Sequence, residues 1–473
     1  MIRTIAQKEF TTALRDRRFL LLGSIILLLL LTAALTGFSS YQLIEGQQKA
    51  AQESANESFH EQPDRHPHRV AHYGSYAFRP KPVLSFLDFG LDSFTGSMVY
   101  MEAHQQNSAN FSQAQQSGSL TRFGEMTVAF VMQWLIPILI IFLCFNAFTQ
   151  EKEEDMLKVL LSQGVSLRQV ATAKIAGYSK VLALIVVPSI TLAAVFLFKL
   201  NNFSWNTDLI LRITVFIISY ILYFFIFITG SVLISALSKH SRTALITLLG
   251  IWIFTCVLLP KAAANLGSSL YATPSKAEMD AEVHHEAKEG MNGHDPLDKR
   301  TADFKKALLL KYKVDSLSQL PVNADGLVMA EGEAFSSKVY QQHFEALVAT
   351  YHKQDQIAVW AGFIDPYLAV RNLSMGMAGS DFAHYVDFLN AAEKYRYALA
   401  QFLNGQQATK MHYKDKETRL SREVWKKYPD FTYEMPGISW ALNNQVIAVT
   451  ALLCWTILIY FLSIFLIGNL KNV

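Results

Sequence analysis

Four histidines, His60, His66, His68 and His72, crowd one short stretch, and His104 follows further on. Imidazole is a common ligand of divalent transition metals. An H-x-H pair such as His66 and His68 offers two rings to one ion when both point the same way, which i, i+2 spacing in an extended strand allows. Pro67 between them favours extended backbone. His66, His68 and His72 are therefore a candidate metal or partner site, weighed against a packed, hydrogen-bonded loop. His284 and His285 lie among Glu282, Glu286 and Glu289. That second group reads as a solvated helix face. No residue is assigned as a metal ligand, and none as catalytic.

The signatures of common enzyme chemistry are missing. No G-x-x-x-x-G-K-[ST] occurs, so the chain has no phosphate-cradling loop of that kind. LSQG at 161–164 has the look of an ATPase signature but lacks its second glycine. His285-Glu286 is followed by Glu289 where a zinc protease motif needs histidine. No G-x-S-x-G elbow is present. The apolar blocks carry almost no ionisable side chains, which argues against an intramembrane proton relay. Energy from ATP must then come from another chain.

Residues 149–174, TQEKEEDMLKVLLSQGVSLRQVATAK, join two long apolar blocks. Met156, Leu157, Leu160 and Leu161 share one helical face. Glu151, Glu153, Glu154 and Asp155 crowd the first turn, where they complement the helix dipole. Gly164 ends this helix, and Ser166 caps a second. An amphipathic hairpin between two membrane spans suits a docking surface better than a mere connector.

These groups need elements to hold them. The 473 residues are 51% hydrophobic and 17% charged, against about 25% charged in ordinary soluble domains. That is a membrane protein with a sizeable soluble part. A net charge of +3 is too small to argue for nucleic acid. Cys144, Cys256 and Cys454 sit in apolar blocks, leaving no disulfide framework in the polar regions. A span needs roughly 20 apolar residues. Six segments qualify: 19–38, 126–148, 175–198, 209–237, 244–259 and 446–467. Pro260 and Lys261 are expected to close the fifth early. The first is read as a span rather than a signal peptide, because its apolar run is long and no A-x-A site follows. Ahead of it, residues 2–14 pattern as an interfacial helix ending at Arg15, Arg17 and Arg18, in contact with membrane lipid.

Lys and Arg concentrate in the N-terminus, in 149–174 and around Lys239 and Arg242, so that side and the C-terminus with Lys471 are expected to be cytosolic. Lys199 and Arg212 flank the opposite short loop and weakly disagree, although both can snorkel. The expected organisation is an elbow helix and first span (1–38), a first external insert (39–125), four spans with the hairpin loop at 149–174 (126–260), a large external domain (261–444), and the last span with a cytosolic C-terminus (445–473). The fold class is an all-α membrane protein with six spans and a mostly helical external domain. The stretch 275–300 is expected to be a helix and then a turn at Gly290, Gly293 and Pro296, and longer helical patterns are expected at 330–361 and 381–402. No run of alternating strands is expected. The aromatic-rich segment holding Phe78, Phe86, Phe89 and Phe94 is expected to form short turns packed on the second insert.

The chain resembles the permease subunits of type-2 ABC transporters, the exporter-like class. LRDRRF at the end of the elbow and FTQEKEEDMLKVLLSQGVSLRQVATAK carry the likeness. The latter resembles the family's first cytosolic loop, the coupling helix that fits a groove on the ATPase. The resemblance gives that role to Glu151, Glu153, Glu154, Asp155, Leu157, Leu160, Leu161, Gln163 and Gly164. Glu154-Asp155 stands where the family usually has Gly-Thr. HPHRVAHYGSYAFRPKP, LDFGLDSFTG and DPYLAVRNLSMGMAGSDFAHYVDFLNAAEKYR resemble the inserts of a branch similar to permeases serving nitrous oxide reductase maturation. The resemblance implies a bacterial inner-membrane location, an ABC ATPase subunit holding ATP and Mg, a second permease chain and an external partner protein. It implies no cofactor on this chain. The alternative is a non-transporting membrane scaffold whose external domains recruit partners.

Overall fold

The computed structural model describes residues 1–110, 112, 126–202, 204–288, 298–415 and 417–470. Glu289, the expected turn at Gly290, Gly293 and Pro296, the end of the first insert at 113–125, and Lys471 lie outside them. The chain is an all-α membrane protein, with six helical segments among the described residues long and apolar enough to cross a bilayer.

Helix α1 (Ile2–Arg15) stops at Asp16, whose backbone is extended and whose carboxylate accepts from the Arg18 N–H at 2.8 Å. That N-cap opens α2 (Arg17–His60). Arg15, Arg17 and Arg18 are exposed around this break. The α2 helix does not end near Phe38. Its 44 residues span about 66 Å, roughly twice the hydrocarbon core. Residues 39–60 contain no proline and many Ala, Gln and Glu, so nothing in them breaks the helix.

Beyond α2 lie α3 (Pro67–Tyr73) and the strands β1 (Ser75–Phe78), β2 (Met98–Glu102) and β3 (Gln105–Gln106). They form an antiparallel sheet in the order β1-β2-β3, with Ser75 opposite Met101 and Phe78 opposite Met98. These three short strands leave the all-α class intact, although the residue pattern does not announce them. These strands are too short for alternation to stand out, and α2 supports them: Gln52 donates to the Tyr76 carbonyl and accepts from the Phe78 N–H, both at 2.9 Å.

The second span enters through a helical turn (Val128–Phe130) and a π turn (Val131–Leu135) before α4 (Ile136–Cys144). A π turn frees backbone carbonyls, which a bilayer cannot hydrate. Here Tyr223 donates to the Gln133 carbonyl at 2.9 Å and Trp252 to the Trp134 carbonyl at 3.2 Å. Then come α5 (Thr149–Glu153), α6 (Met156–Ser162), α7 (Leu167–Leu200), α8 (Thr207–Leu237), α9 (Ser241–Ile253), a second π turn (Phe254–Leu258) and α10 (Leu259–Leu270). Pro260 and Lys261 do not close the fifth span. The π turn relieves the ladder before Pro260, which enters at the start of α10, and the helix continues outward.

The remaining helices are α11 (Lys276–Lys288), α12 (Lys299–Tyr312), α13 (Ala324–Ala361), α14 (Pro366–Ala378), α15 (Phe382–Lys410), α16 (Glu423–Lys426), α17 (Ile438–Asn444) and α18 (Val446–Gly468). The long antiparallel pair α13 and α15 builds the region expected outside the spans. Its lower tip does not stay outside. Helix α14 packs against α8 and α18, Trp455 of α18 donates to the Gly362 carbonyl at 3.2 Å, and Trp134 donates to the Tyr367 hydroxyl at 3.1 Å. Trp455 sits ~14 Å along α18, so 362–378 lies among the spans. Trp360, Phe363 and Ile364 at that tip are exposed apolar side chains.

A further expectation changes. Arg212 does not snorkel. It is buried, paired with Asp208 at 2.7 Å, and donates to the carbonyls of Gly376, Met377 and Pro436, which ties α8 to α14. Cys144 and Cys256 are buried, but Cys454 faces outward on α18.

At the opposite end α1 lies tightly along α7. A Cβ on Gly177 would sit 2.9 Å from the Ala6 carbonyl oxygen. Gly177→Val is therefore expected to lift α1 off α7 at a cost of about 1–3 kcal/mol. Thermal unfolding in detergent checks this; an unchanged midpoint would refute the close packing.

Candidate functional site

The end of the bundle that carries α1 also carries α5, α6, the 238–241 turn and the end of α18. Its centre is Lys174 in α7, 1% exposed. Lys174 Nζ donates to Glu9 Oε1 at 2.9 Å and to Glu151 Oε1 at 3.0 Å, and the Tyr178 hydroxyl donates to Glu9 Oε2 at 3.0 Å. Lys8 adds a longer contact to Glu151 at 3.3 Å. One ammonium thus ties three helices, α1, α5 and α7, at a single buried point.

The rest of α5 is fixed as firmly. The Phe148 N–H donates to Ser235 Oγ at 2.9 Å. The Ser241 N–H and hydroxyl donate to the two Glu153 oxygens at 2.9 and 3.1 Å. Lys152 Nζ donates to the Ala236 and Ser238 carbonyls, holding the C-terminal end of α8.

The hairpin then turns. Asp155 adopts φ 55°, left-handed backbone that asparagine and aspartate tolerate better than most residues. That break corrects one expectation: the acidic residues do not crowd the first turn of one helix. Glu151 and Glu153 end up in α5, and Glu154 and Asp155 form the corner. Asp155 pairs with Lys158 at 2.8 Å in full solvent. In α6, Leu157 is buried and Leu160 and Leu161 are half-buried, whereas Met156 is 46% and Val159 49% exposed. Gln163 is exposed, and Gly164 takes φ 79° to end the helix. Ser166 and Gln169 form a reciprocal capping box that starts α7.

The expected docking residues therefore divide. Glu151, Glu153 and Leu157 hold the hairpin in place. Glu154, Asp155, Gln163 and Gly164 are presented to solvent, together with Met156 and Val159. The residue missed in the sequence is Glu9. Its signal was present: it lies on the face shared by Ala6 and Ala13, an acid on an otherwise apolar stripe. Buried charge thus sits at the ends of the spans, at Lys174 and Arg212.

At the other end the histidines regroup. His66 caps α3: its Nδ1 accepts from the His68 N–H at 3.2 Å, and Pro67 starts the helix. The backbone is helical rather than extended, so the H-x-H pair does not form. Helix spacing instead brings His68 and His72 together, with Nε2 atoms 3.0 Å apart, and His104 joins them from the β2–β3 turn. Partial desolvation and the neighbouring His104 lower the pKa of His72. Beneath lies Glu333, buried, paired with Arg396 at 2.6 Å and with His104. Although burial pushes its pKa up, the His104 hydrogen bond and the Arg396 charge win and bring it down to about 2. A carboxyl depressed from 4.5 contributes stability above that value and loses it as pH falls toward 2. The stability gap between wild type and Glu333→Gln is expected to narrow as pH drops below about 4.5. Melting curves at pH 6 and pH 3 check this; a gap that does not change would contradict it.

His284 and His285 lie on the exposed part of α11, where Glu286 pairs with His343 at 2.8 Å. The aromatic segment is divided: Phe86 is buried beneath α2, and Phe94 is exposed at the edge of a cleft of about 870 Å³. Tyr340, Tyr351, Arg371 and Tyr385 line the same cleft, which reaches Pro260 and Ala264 on the fifth span.

Residues 91–263 match the family described as ABC-2 family transporter protein. Residues 276–434 match a domain of unknown function, DUF3526. No curated protein matches the chain. The first match, over this part of the chain, supports a multi-pass membrane protein that is the permease subunit of an ABC system.

Proposed function

We propose that the chain is the transmembrane subunit of an exporter-like complex in which α5 and α6 receive the stroke of a separate ATPase. One observation carries this reading. The hairpin presents Met156 and Val159 to solvent, while its base is locked to α1 and α7 through Lys174, Glu9 and Glu151, to α8 through Lys152, and to the start of α9 through Glu153. A flexible loop would absorb a push; a hairpin anchored at buried ion pairs passes it to the spans as a rigid-body movement.

In this proposal ATP and Mg are held by the partner chain. The hairpin end, both termini and the interfacial α1 face the cytosol, following the Lys and Arg bias. The membrane is the bacterial inner membrane, and the regions at 39–125 and 261–444 face outward apart from the tip at 362–378. A second permease chain, the same or homologous, completes the pathway. The work is either export of cargo, for which the cleft beside Arg371 is the available site, or force on an external partner protein. The second option follows the likeness to permeases that serve nitrous oxide reductase maturation.

The test is capture of the tagged chain from its native membrane with identification of what is bound. The proposal expects an ATPase with a phosphate-binding loop in proportion to the permease. Its absence, with other proteins bound to the outer regions, would favour the membrane scaffold instead.

A further inference from the structure

His68, His72 and His104 are drawn from two parts of the fold. His68 and His72 are one helical turn apart on α3, the i, i+4 spacing that places two imidazoles on one face. His104 sits in the turn between β2 and β3 at φ 71°, a left-handed conformation that is strained for a non-glycine residue. Something must hold it there. One buried oxygen does so: Glu333 Oε2 accepts from the His104 backbone N–H at 2.8 Å and lies 3.1 Å from Nδ1. With Nδ1 engaged, Nε2 is the ring nitrogen His104 can offer to a ligand. A carboxylate fixing the far nitrogen of an imidazole is the arrangement that orients histidine ligands in metal sites.

The distances suit an ion. The ligand atoms of the three residues all lie within 4.8 Å of one another, and those of His68 and His72 are 3.0 Å apart. Zn–N bonds of about 2.0–2.1 Å in a tetrahedron put neighbouring nitrogens about 3.3 Å apart. The charge beneath the cluster also suits a cation. Glu333 and Glu393 both pair with the single Arg396, leaving one net negative charge.

We propose that His68, His72 and His104 form a three-histidine site for Zn²⁺, with Glu333 as the residue that positions His104. Three neutral imidazoles and an open fourth position are a known zinc arrangement. His72 is exposed, so the fourth position is reachable from solvent. Bound zinc links α3 to the sheet and, through Glu333 and Arg396, to α13 and α15. The site is independent of the ATPase reading, and either can fail without the other.

The experiment uses the purified full-length chain in detergent, stripped with a chelator and titrated with Zn²⁺ against a chromophoric competitor. Co²⁺ substitution reports geometry through its visible absorption. The expected result is one Zn²⁺ per chain and a tetrahedral Co²⁺ spectrum. His72→Ala should weaken binding by at least the roughly 10–100-fold that changes around metal ligands cost, and His104→Ala likewise. His66→Ala, which removes only a helix cap, should bind as wild type. His72 is exposed, so its variant stays informative even if the His104 variant misfolds. Unchanged affinity in His72→Ala, or an equal loss in His66→Ala, would overturn the proposal. Cu²⁺ binding at the same residues with no measurable Zn²⁺ affinity would overturn the choice of metal.

Discussion

Lys174→Met should destabilise the protein by roughly 3–5 kcal/mol, the cost of breaking a buried ion pair by removing one partner. The side chain it replaces is the only buried cation within 3.0 Å of both Glu9 and Glu151 among the described residues. Methionine fills similar volume, so the loss is electrostatic rather than a cavity. Two carboxylates then face each other in a poorly solvated pocket, and Lys8, longer and half-exposed, reaches only Glu151. Combining the change with Glu9→Gln and Glu151→Gln removes the stranded charges and should recover most of the stability, because a neutral set is often as stable as the ion pairs it replaces. The triple variant then separates folding from transmission. If it melts near wild type yet no longer stimulates its ATPase, the network conducts the stroke. A Lys174→Met protein that melts like wild type would show that the triad carries no structural load.

The second large effect concerns the face that α6 presents. Met156→Asp with Val159→Asp is expected to abolish stable ATPase association while leaving the folding stability within about 0.5 kcal/mol of wild type, as exposed substitutions usually do. Each side chain is about half exposed in the isolated chain. Burying the remainder on docking gains on the order of 1 kcal/mol apiece, and forcing a carboxylate into an apolar groove costs more than that gain. The combined loss is of order 100-fold or more in affinity. Equilibrium binding of the purified ATPase measures it. Retained affinity in the double variant would move the docking surface elsewhere on this end.

Much of this architecture could be read from residue order. Six apolar runs give six spans, and the hairpin with its Ser166 cap stands out because its pattern changes from apolar to amphipathic. What escaped was whatever depends on contacts between distant residues. Glu9 looked like one charge in a basic elbow; only packing against Lys174, 165 positions away, makes it structural. His104 lies far from α3 in sequence and reaches it through a strand pair of which one member is two residues long. Proline 260 reads as a terminator because the sequence does not announce a π turn before it. The tip at 362–378 is apolar but interrupted by Gly362 and Asp365-Pro366, too short and broken to register as a span, although interrupted apolar segments are how re-entrant elements look. Locally encoded features were legible, and the long-range pairings that fix the hairpin and the histidines were not.

The most direct measurement places a photo-activated cross-linking residue at Val159 and identifies its adducts in the native membrane. Ile251, on a span and exposed, serves as the control position. The account predicts that Val159 captures an ATPase with a phosphate-binding loop, that the adduct increases when nucleotide closes the ATPase pair, and that Ile251 captures lipid. Lipid alone at both positions, or a partner at Val159 that binds no nucleotide, would contradict it.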